Sequence, residues 1–258
     1  MITGIIDTHA HLYAEEFSSD SDEMIERAIR SGIEKIILPN IDLNSIEQML
    51  QLSEKYPGIC FPAMGLHPSS VKSNYKDDLK VIYEHFNKRK FIAVGEAGID
   101  LYWDKTFETE QEDAFRIQLE WAKEKNLPII IHTRKSFEQV IRCVKDFKGN
   151  VCGIFHCFSG SYEEAQRIIS IGNFKMGIGG VLTYKNSGLP EVIEKIDLQH
   201  LVLETDAPYL PPVPYRGKRN ESSYILKVAE KLAEIKNCSI QEVIDITSKN
   251  AKEIFKLN

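Results

Sequence analysis

No apolar run in this sequence approaches the length of a membrane span, which excludes a bundle of transmembrane helices. The opening Met1-Ile2-Thr3-Gly4 has no basic segment, and the apolar stretch behind it ends at Asp7. No secretory leader is read there. Repeats of solenoid period and low-complexity linkers are missing as well. The five cysteines (Cys60, Cys143, Cys152, Cys157, Cys238) fall in no CxxC or zinc-ribbon spacing. They read as reduced thiols of a cytoplasmic protein. Cys157 alone stands beside a candidate functional residue, His156, and reads as a small buried filler. An excess of positive charge is also lacking: 32 Lys and Arg stand against 38 Asp and Glu, a net charge of −6. That balance argues against a broad electropositive face for nucleic acid and leaves room for a narrow local one.

What is present is an alternation of strand and helix. Apolar strand candidates lie at 4–7, 35–39, 59–64, 91–94, 128–131, 151–155, 174–178 and 201–203. They are rich in isoleucine and do not alternate with polar residues, as expected of strands buried on both faces of a parallel sheet. Amphipathic stretches separate them. The clearest is Glu108–Lys125, where Phe115, Leu119 and Ala122 share a face and Pro128 follows the end. Residues 220–233 and 240–255 read as two closing helices. Eight such units in 258 residues predict an α/β fold, a (β/α)8 TIM barrel, with a doubly wound open sheet as the alternative.

The polar residues fall at the carboxyl ends of these strands. His9 and His11 follow the first strand, where residues two apart share a side. His67 follows the third, Glu96 the fourth, and Asp206 the eighth; His132 ends the fifth and His156 the sixth. Five of the seven histidines thus occupy the face on which barrel enzymes gather their catalytic groups. His85, within a helix, and His200, before the eighth strand, read as structural or solvated. Each site residue has an ordinary reading when taken alone: His132 as a core histidine, Glu96 as a turn acceptor, Asp206 as a helix cap. Together they are better explained by chemistry. A buried carboxylate without a cation is costly, and imidazoles around carboxylates suit a divalent ion.

The ordered motifs His9-Ala10-His11, Gly95-Glu96-Ala97-Gly98-Ile99-Asp100, Ile131-His132-Thr133-Arg134, His156-Cys157-Phe158-Ser159-Gly160 and Glu204-Thr205-Asp206-Ala207-Pro208-Tyr209 resemble the TatD family of metal-dependent deoxyribonucleases. That family belongs to the amidohydrolase superfamily of TIM barrels. The resemblance runs nearly the whole chain, to Pro214-Tyr215-Arg216-Gly217-Lys218-Arg219-Asn220-Glu221. Departures are small: Ala97 stands where members often have Ile, Ser69 where they often have a second His, and Ser222 where Pro often follows Asn-Glu. The resemblance implies one hydrolase barrel domain over residues 1–258. It implies metal ligands at His9, His11, Glu96, His132, His156 and Asp206, with Glu96 bridging two divalent ions (Zn, Mn, Co or Mg).

The expected reaction is hydrolysis of a phosphodiester at a DNA end, with Asp206, Glu96 and His67 in catalytic roles. Arg216, Lys218 and Arg219 lie on a proline-rich loop that starts shortly after Asp206 and read as phosphate contacts. Trp103, Tyr209 and Tyr215 read as platforms for unpaired bases, and His67 as a further substrate contact. Single-stranded DNA ends are the expected partner; neither a membrane nor a protein partner is implied. Three alternatives stand beside this: another amidohydrolase reaction on an amide, lactone or base; ester cleavage of D-aminoacyl-tRNA; and a non-catalytic metal-bearing nucleic-acid scaffold. Related dinuclear enzymes often bridge their metals with a carboxylated lysine from strand four. Glu96 at that place favours the nuclease.

Overall fold

The computed structural model describes residues 3–258; Met1 and Ile2 of the leader reading lie outside them. Its strands are β1 (Ile5–Asp7), β2 (Ile33–Pro39), β3 (Cys60–Ala63), β4 (Val94–Asp100), β5 (Ile129–Arg134), β6 (Gly153–Phe155), β7 (Phe174–Ile178) and β8 (Leu201–Leu203). The helices are α1 (Ser21–Arg30), α2 (Ile46–Lys55), α3 (Tyr75–Lys88), α4 (Glu108–Lys125), α5 (Phe137–Asp146), α6 (Tyr162–Ile171), α7 (Leu189–Ile193), α8 (Ile225–Lys236) and α9 (Ile240–Phe255). None of these is long and apolar enough to cross a membrane.

All strand pairs are parallel and follow chain order, in ladders β1–β3 and β4–β8. Main-chain bonds join the ladders at both seams. At one, Met64 N donates to Ala93 O (3.1 Å) and Gly95 N to Met64 O (3.0 Å). At the other, Thr8 N donates to Leu203 O (3.1 Å) and His11 N to Ala207 O (2.7 Å). The eight strands therefore follow one another around a barrel whose ladder narrows to single bridges at two places.

Period-two alternation sorts the apolar residues. Ile6, Ile37, Ala63, Ala93, Ile130, Ile154 and Val202 form an inner layer, closed from below by Ala251, Ile254 and Phe255 of α9. Ile5, Ile36, Leu38, Ile129, Ile131 and Leu203 pack instead with the outer helices. Two residues beyond Ile130, Ile154 and Val202 stand His132, His156 and Glu204. The same strand faces that build the apolar floor thus carry polar groups above it.

Several boundaries differ from the sequence expectation. β4 begins at Val94 rather than Phe91 and runs on to Asp100, and β5 runs past Ile131 to Arg134. The cause is pairing of polar rim residues, Gly98 with His132, Ile99 with Thr133 and Asp100 with Arg134, which an apolar run cannot reveal. Glu96 and His132 therefore lie within their strands rather than at the ends. α8 starts at Ile225, not Asn220, because Asn220 and Ser222 bond elsewhere: Asn220 Nδ2 donates to Thr205 O and Tyr209 O (both 2.7 Å), and Ser222 Oγ to Asp7 (2.7 Å).

Candidate metal centre

The first two histidines are placed by main-chain bonds. Ala10 N donates to Ile37 O (3.1 Å), His11 N to Ala207 O (2.7 Å), and Asp206 N to His9 O (2.9 Å). The end of β1 is thereby fixed against both neighbours. Below it, the fully buried Asp7 carboxylate accepts from Thr205 Oγ1 and Ser222 Oγ (2.7 Å each) and Thr205 N (3.0 Å). Burial pushes its pKa up to about 7 against these bonds. Asp7 ties β1 to the segment carrying Asp206. Sequence reasoning missed it, although a charge inside Ile5-Ile6-Asp7 was a visible signal.

Glu96 stands at the centre. Its Oε2 faces His9 Nε2 (3.1 Å) and His11 Nε2 (3.4 Å). Its Oε1 faces His132 Nδ1 and His156 Nε2 (2.8 Å each) and His67 Nε2 (3.4 Å). The two oxygens thus divide five imidazoles between them. Asp206 Oδ1 lies 3.6 Å from His9 Nε2 and 3.8 Å from His11 Nε2, on the first side. Three sets of donor atoms lie mutually within 4.8 Å: His9, His11 and Asp206; His9, Glu96 and His156; His67, Glu96 and His132.

The fit to a cation can be judged from the nitrogens. His9 Nε2 and His11 Nε2 approach to 3.1 Å, and His132 Nδ1 lies 3.3 Å from both His156 Nε2 and His67 Nε2. A neutral imidazole has one N–H and one lone pair. So many ring nitrogens meeting around one buried carboxylate present more lone pairs than there are protons to share. His9 Nδ1 and His156 Nδ1, both buried, have no hydrogen-bond partner. Nitrogen and carboxylate oxygen together suit borderline divalent ions. The donor set fits such an ion.

The electrostatics agree. Burial would raise the Glu96 pKa, but the imidazoles, His156 first, hold it well below the usual carboxylate range. Burial would lower His156 and His132; carboxylates outweigh it and raise both, Glu96 and Glu204 at His156, Asp100 and Glu96 at His132. At His9 and His67 burial prevails and the pKa falls. Burial pushes Asp206 up to about 6, with Glu96 and Glu204 adding to the rise against His156 and His11.

A second layer of residues orients the first. Asp100 Oδ2 pairs with His132 Nε2 (3.0 Å), which turns the Nδ1 of that ring inward. Glu204 Oε1 lies 3.5 Å from His156 Nδ1 and accepts from Cys157 N. Tyr13 OH meets His11 Nδ1 at 2.9 Å. Ser69 N donates to His67 Nδ1 (3.1 Å), leaving the Nε2–H of neutral His67 pointing at the centre. Carboxylate partners of this kind commonly set the tautomer of metal-binding histidines. Asp100, Glu204 and Tyr13 were not singled out from the sequence. The signal was spacing: Asp100 is four after Glu96 on one strand, and Tyr13 is two after His11.

A cavity of about 620 Å3 opens above, lined by His67, Glu96, Trp103, Arg134, Asp206 and Tyr209 among others. Tyr215, Arg216 and Lys218 do not line it. The Tyr215 ring is stacked on Tyr224 at 3.8 Å, so the base platform expected there has one face already covered. Arg216 lies over the Tyr184 ring at 3.8 Å, beside Val181 at the edge of the cavity. Arg219, expected to meet a phosphate, instead donates to Asp20 at 2.6 and 2.8 Å and anchors its loop. Cys157 also differs from the buried filler expected, since it lines the cavity. Burial pushes its thiol well above the ordinary range, so it is not a nucleophile poised to react.

The model of the family described as TatD related DNase matches residues 6–256. The chain is 42% identical to an uncharacterized metal-dependent hydrolase, YabD, of Bacillus subtilis, over 98% of this chain and 100% of that protein. It is 30% identical to a putative deoxyribonuclease, tatdn3, of Danio rerio, over 99% of this chain and 98% of that protein. The crystal structure of the TatD homologue YjjV from Escherichia coli superposes with a TM-score of 0.94 at 32% identity, covering all of both chains. The chain belongs to the TatD family of metal-dependent hydrolases.

Proposed function

We propose that this hydrolase is a deoxyribonuclease that removes nucleotides from single-stranded DNA ends, with residues 1–258 acting as one catalytic domain. The observation that carries the reading is the division of the Glu96 oxygens between two groups of histidines. In this reading His9, His11, Glu96 and Asp206 hold one divalent ion, and Glu96, His132 and His156 a second. Such ions, when bound, supply Lewis-acid activation of a water and neutralise charge at a phosphate.

The remaining work falls to the protein. Asp206 lines the cavity and is the carboxylate placed to accept a proton from the attacking water. His67 directs its Nε2–H inward, where it donates a hydrogen bond to a phosphate oxygen. Asp100 holds His132 in a fixed tautomer, and Glu204 faces His156 Nδ1 at 3.5 Å. Tyr209, about half exposed at the rim, offers a stacking face. A cavity of about 620 Å3 has the size of a site for one small ligand, which suits a terminal unpaired nucleotide rather than a duplex. Arg216 and Lys218 lie outside it, where they would meet the phosphates of a trailing strand.

The test is release of nucleotides from end-labelled single-stranded and duplex oligodeoxynucleotides, with and without chelator. Chelator-sensitive release from the single strand, slower from the duplex, is expected. Release that survives exhaustive chelation, or turnover of esters and amides but not of DNA, overturns the reading.

A further inference from the structure

At the edge of the metal-centre cavity Trp103, read above only as a base platform, stands with two side chains that have no role so far, Tyr102 and Arg134. β4 and β5 pair to their ends, with Asp100 opposite Arg134 and Leu101 N donating to Arg134 O at 2.9 Å. This pairing places the segment after β4, Tyr102-Trp103, alongside Arg134. The Tyr102 and Trp103 rings meet edge to face at 4.8 Å and 89°. The Arg134 guanidinium lies 4.0 Å from the Tyr102 ring centre and 5.2 Å from that of Trp103. Trp103 is 74% exposed, although such a ring gains most by being buried. Asp100, the strand partner of Arg134, has committed Oδ2 to His132 and Oδ1 to Tyr102 N (2.9 Å). Among the described residues the Arg134 guanidinium has no hydrogen-bond or ion-pair partner, and its N–H groups remain available to an anion. Trp103 lines the central cavity, Tyr102 lines a neighbouring groove, and Arg134 lines both.

We propose that Tyr102, Trp103 and Arg134 form the subsite for the nucleotide next to the scissile phosphate, its unpaired base stacking on Trp103 and its phosphate pairing with Arg134. The proposal rests on the DNA reading above and specifies where the nucleotide flanking the scissile bond sits: on this saddle, at the mouth of the neighbouring groove. Cation–π contact with two rings holds the guanidinium in place, so less freedom is lost when a phosphate binds. Stacking uses the face that every base has, and the hydrogen bonds of the base edges are not read. The subsite thus discriminates unpaired from paired nucleotides and tolerates any base.

The chain has two tryptophans, and the other, Trp121, is buried. Emission from the exposed indole therefore reports on Trp103. We expect a phosphorothioate-linked single-stranded hexadeoxynucleotide, added to the metal-loaded protein, to quench it in a saturable way. Quenching should be similar for all four bases, weak for a duplex, and lost when an abasic site is placed at the stacking position. Trp103→Ala should raise KM for DNA roughly tenfold or more, and Trp103→Phe should restore most of the loss. Arg134→Ala should flatten the salt dependence of binding by about one phosphate, a slope change of about 0.7. Turnover of the phosphodiester strand of the same sequence while its phosphorothioate analogue leaves Trp103 emission unchanged, or equal binding of the abasic strand, overturns the subsite and leaves the DNA reading intact. Failure of every DNA to bind or be cleaved overturns the two together.

Discussion

Glu96→Gln changes the centre with the least change of shape, and the size of its effect can be worked out. The amide fills the volume of the carboxylate, but it loses the charge and one of the two acceptor oxygens on which five histidines converge within 3.4 Å. An ion that binds only the folded chain, at about a hundred times its dissociation constant, adds about 2.7 kcal/mol of stability. Unfolding entropy of about 2.1 cal/mol/K per residue, taken over 258 residues, is roughly 0.54 kcal/mol/K. Each filled site should therefore raise Tm by about 5 °C, and two by about 10 °C. Scanning calorimetry of chelator-stripped protein, with and without added Zn²⁺ or Mn²⁺, measures that increment. In the parent it should approach the two-site value. In Glu96→Gln it should fall to about half or less, since both sites lose their shared ligand. An increment as large in the variant as in the parent would refute the bridging role.

Further outcomes follow from the same geometry. Asp206→Asn should cut hydrolysis by about 10²–10⁴ while the protein stays folded, because the amide cannot take a proton from water; turnover above a tenth of the parent with metal bound would contradict this. Gly177→Ala places a Cβ 2.0 Å from Glu204 Oε2, and Glu204 is fully buried. It should cost about 1–3 kcal/mol in urea unfolding and weaken metal retention by displacing the partner of His156. Arg216→Ala should raise KM for a long oligonucleotide and flatten its salt dependence, with metal content unchanged by elemental analysis. Hydrogen bonds from Arg219 and Arg27 hold the Asp20 carboxyl well below the usual carboxylate range. Its stabilisation is thus full above the ordinary carboxylate pKa and is lost only as pH falls through the lower folded value. Asp20→Asn should lower Tm equally at pH 7 and pH 5, with the gap closing only in strong acid.

The strands that lie wholly in the barrel wall were legible, because burial on both faces leaves a mostly apolar run; β8 is apolar throughout, and β7 is broken only by the half-buried Lys175. α4 was legible from end to end for the complementary reason, a stripe of 3.6 period with Pro128 beyond its end; the structure closes it with Asn126 in a left-handed cap. β4 was not. Its functional half, Gly95–Asp100, is polar and glycine-rich, and the backbone register shifts between Val94 and Ala97. The residues that meet around Glu96 could be picked out as candidates because five of the seven histidines follow apolar runs. What could not be read was how Glu96 shares its oxygens, or that Asp100 and Glu204 stand behind His132 and His156, since these are contacts between strands distant in sequence. Arg219 was misread for a related reason: a basic loop looks alike whether its charges face solvent or, as here, an aspartate on a distant segment.

The central claim is a carboxylate-bridged pair of divalent ions that makes this chain a nuclease of single-stranded ends. Its most direct test is a metal titration of one chelator-stripped preparation, following bound metal by elemental analysis and nucleotide release from an end-labelled single strand in parallel. Release should be absent in the stripped protein and reach its maximum as the second equivalent binds. Full release with no metal, or no release when both equivalents are bound, would contradict it.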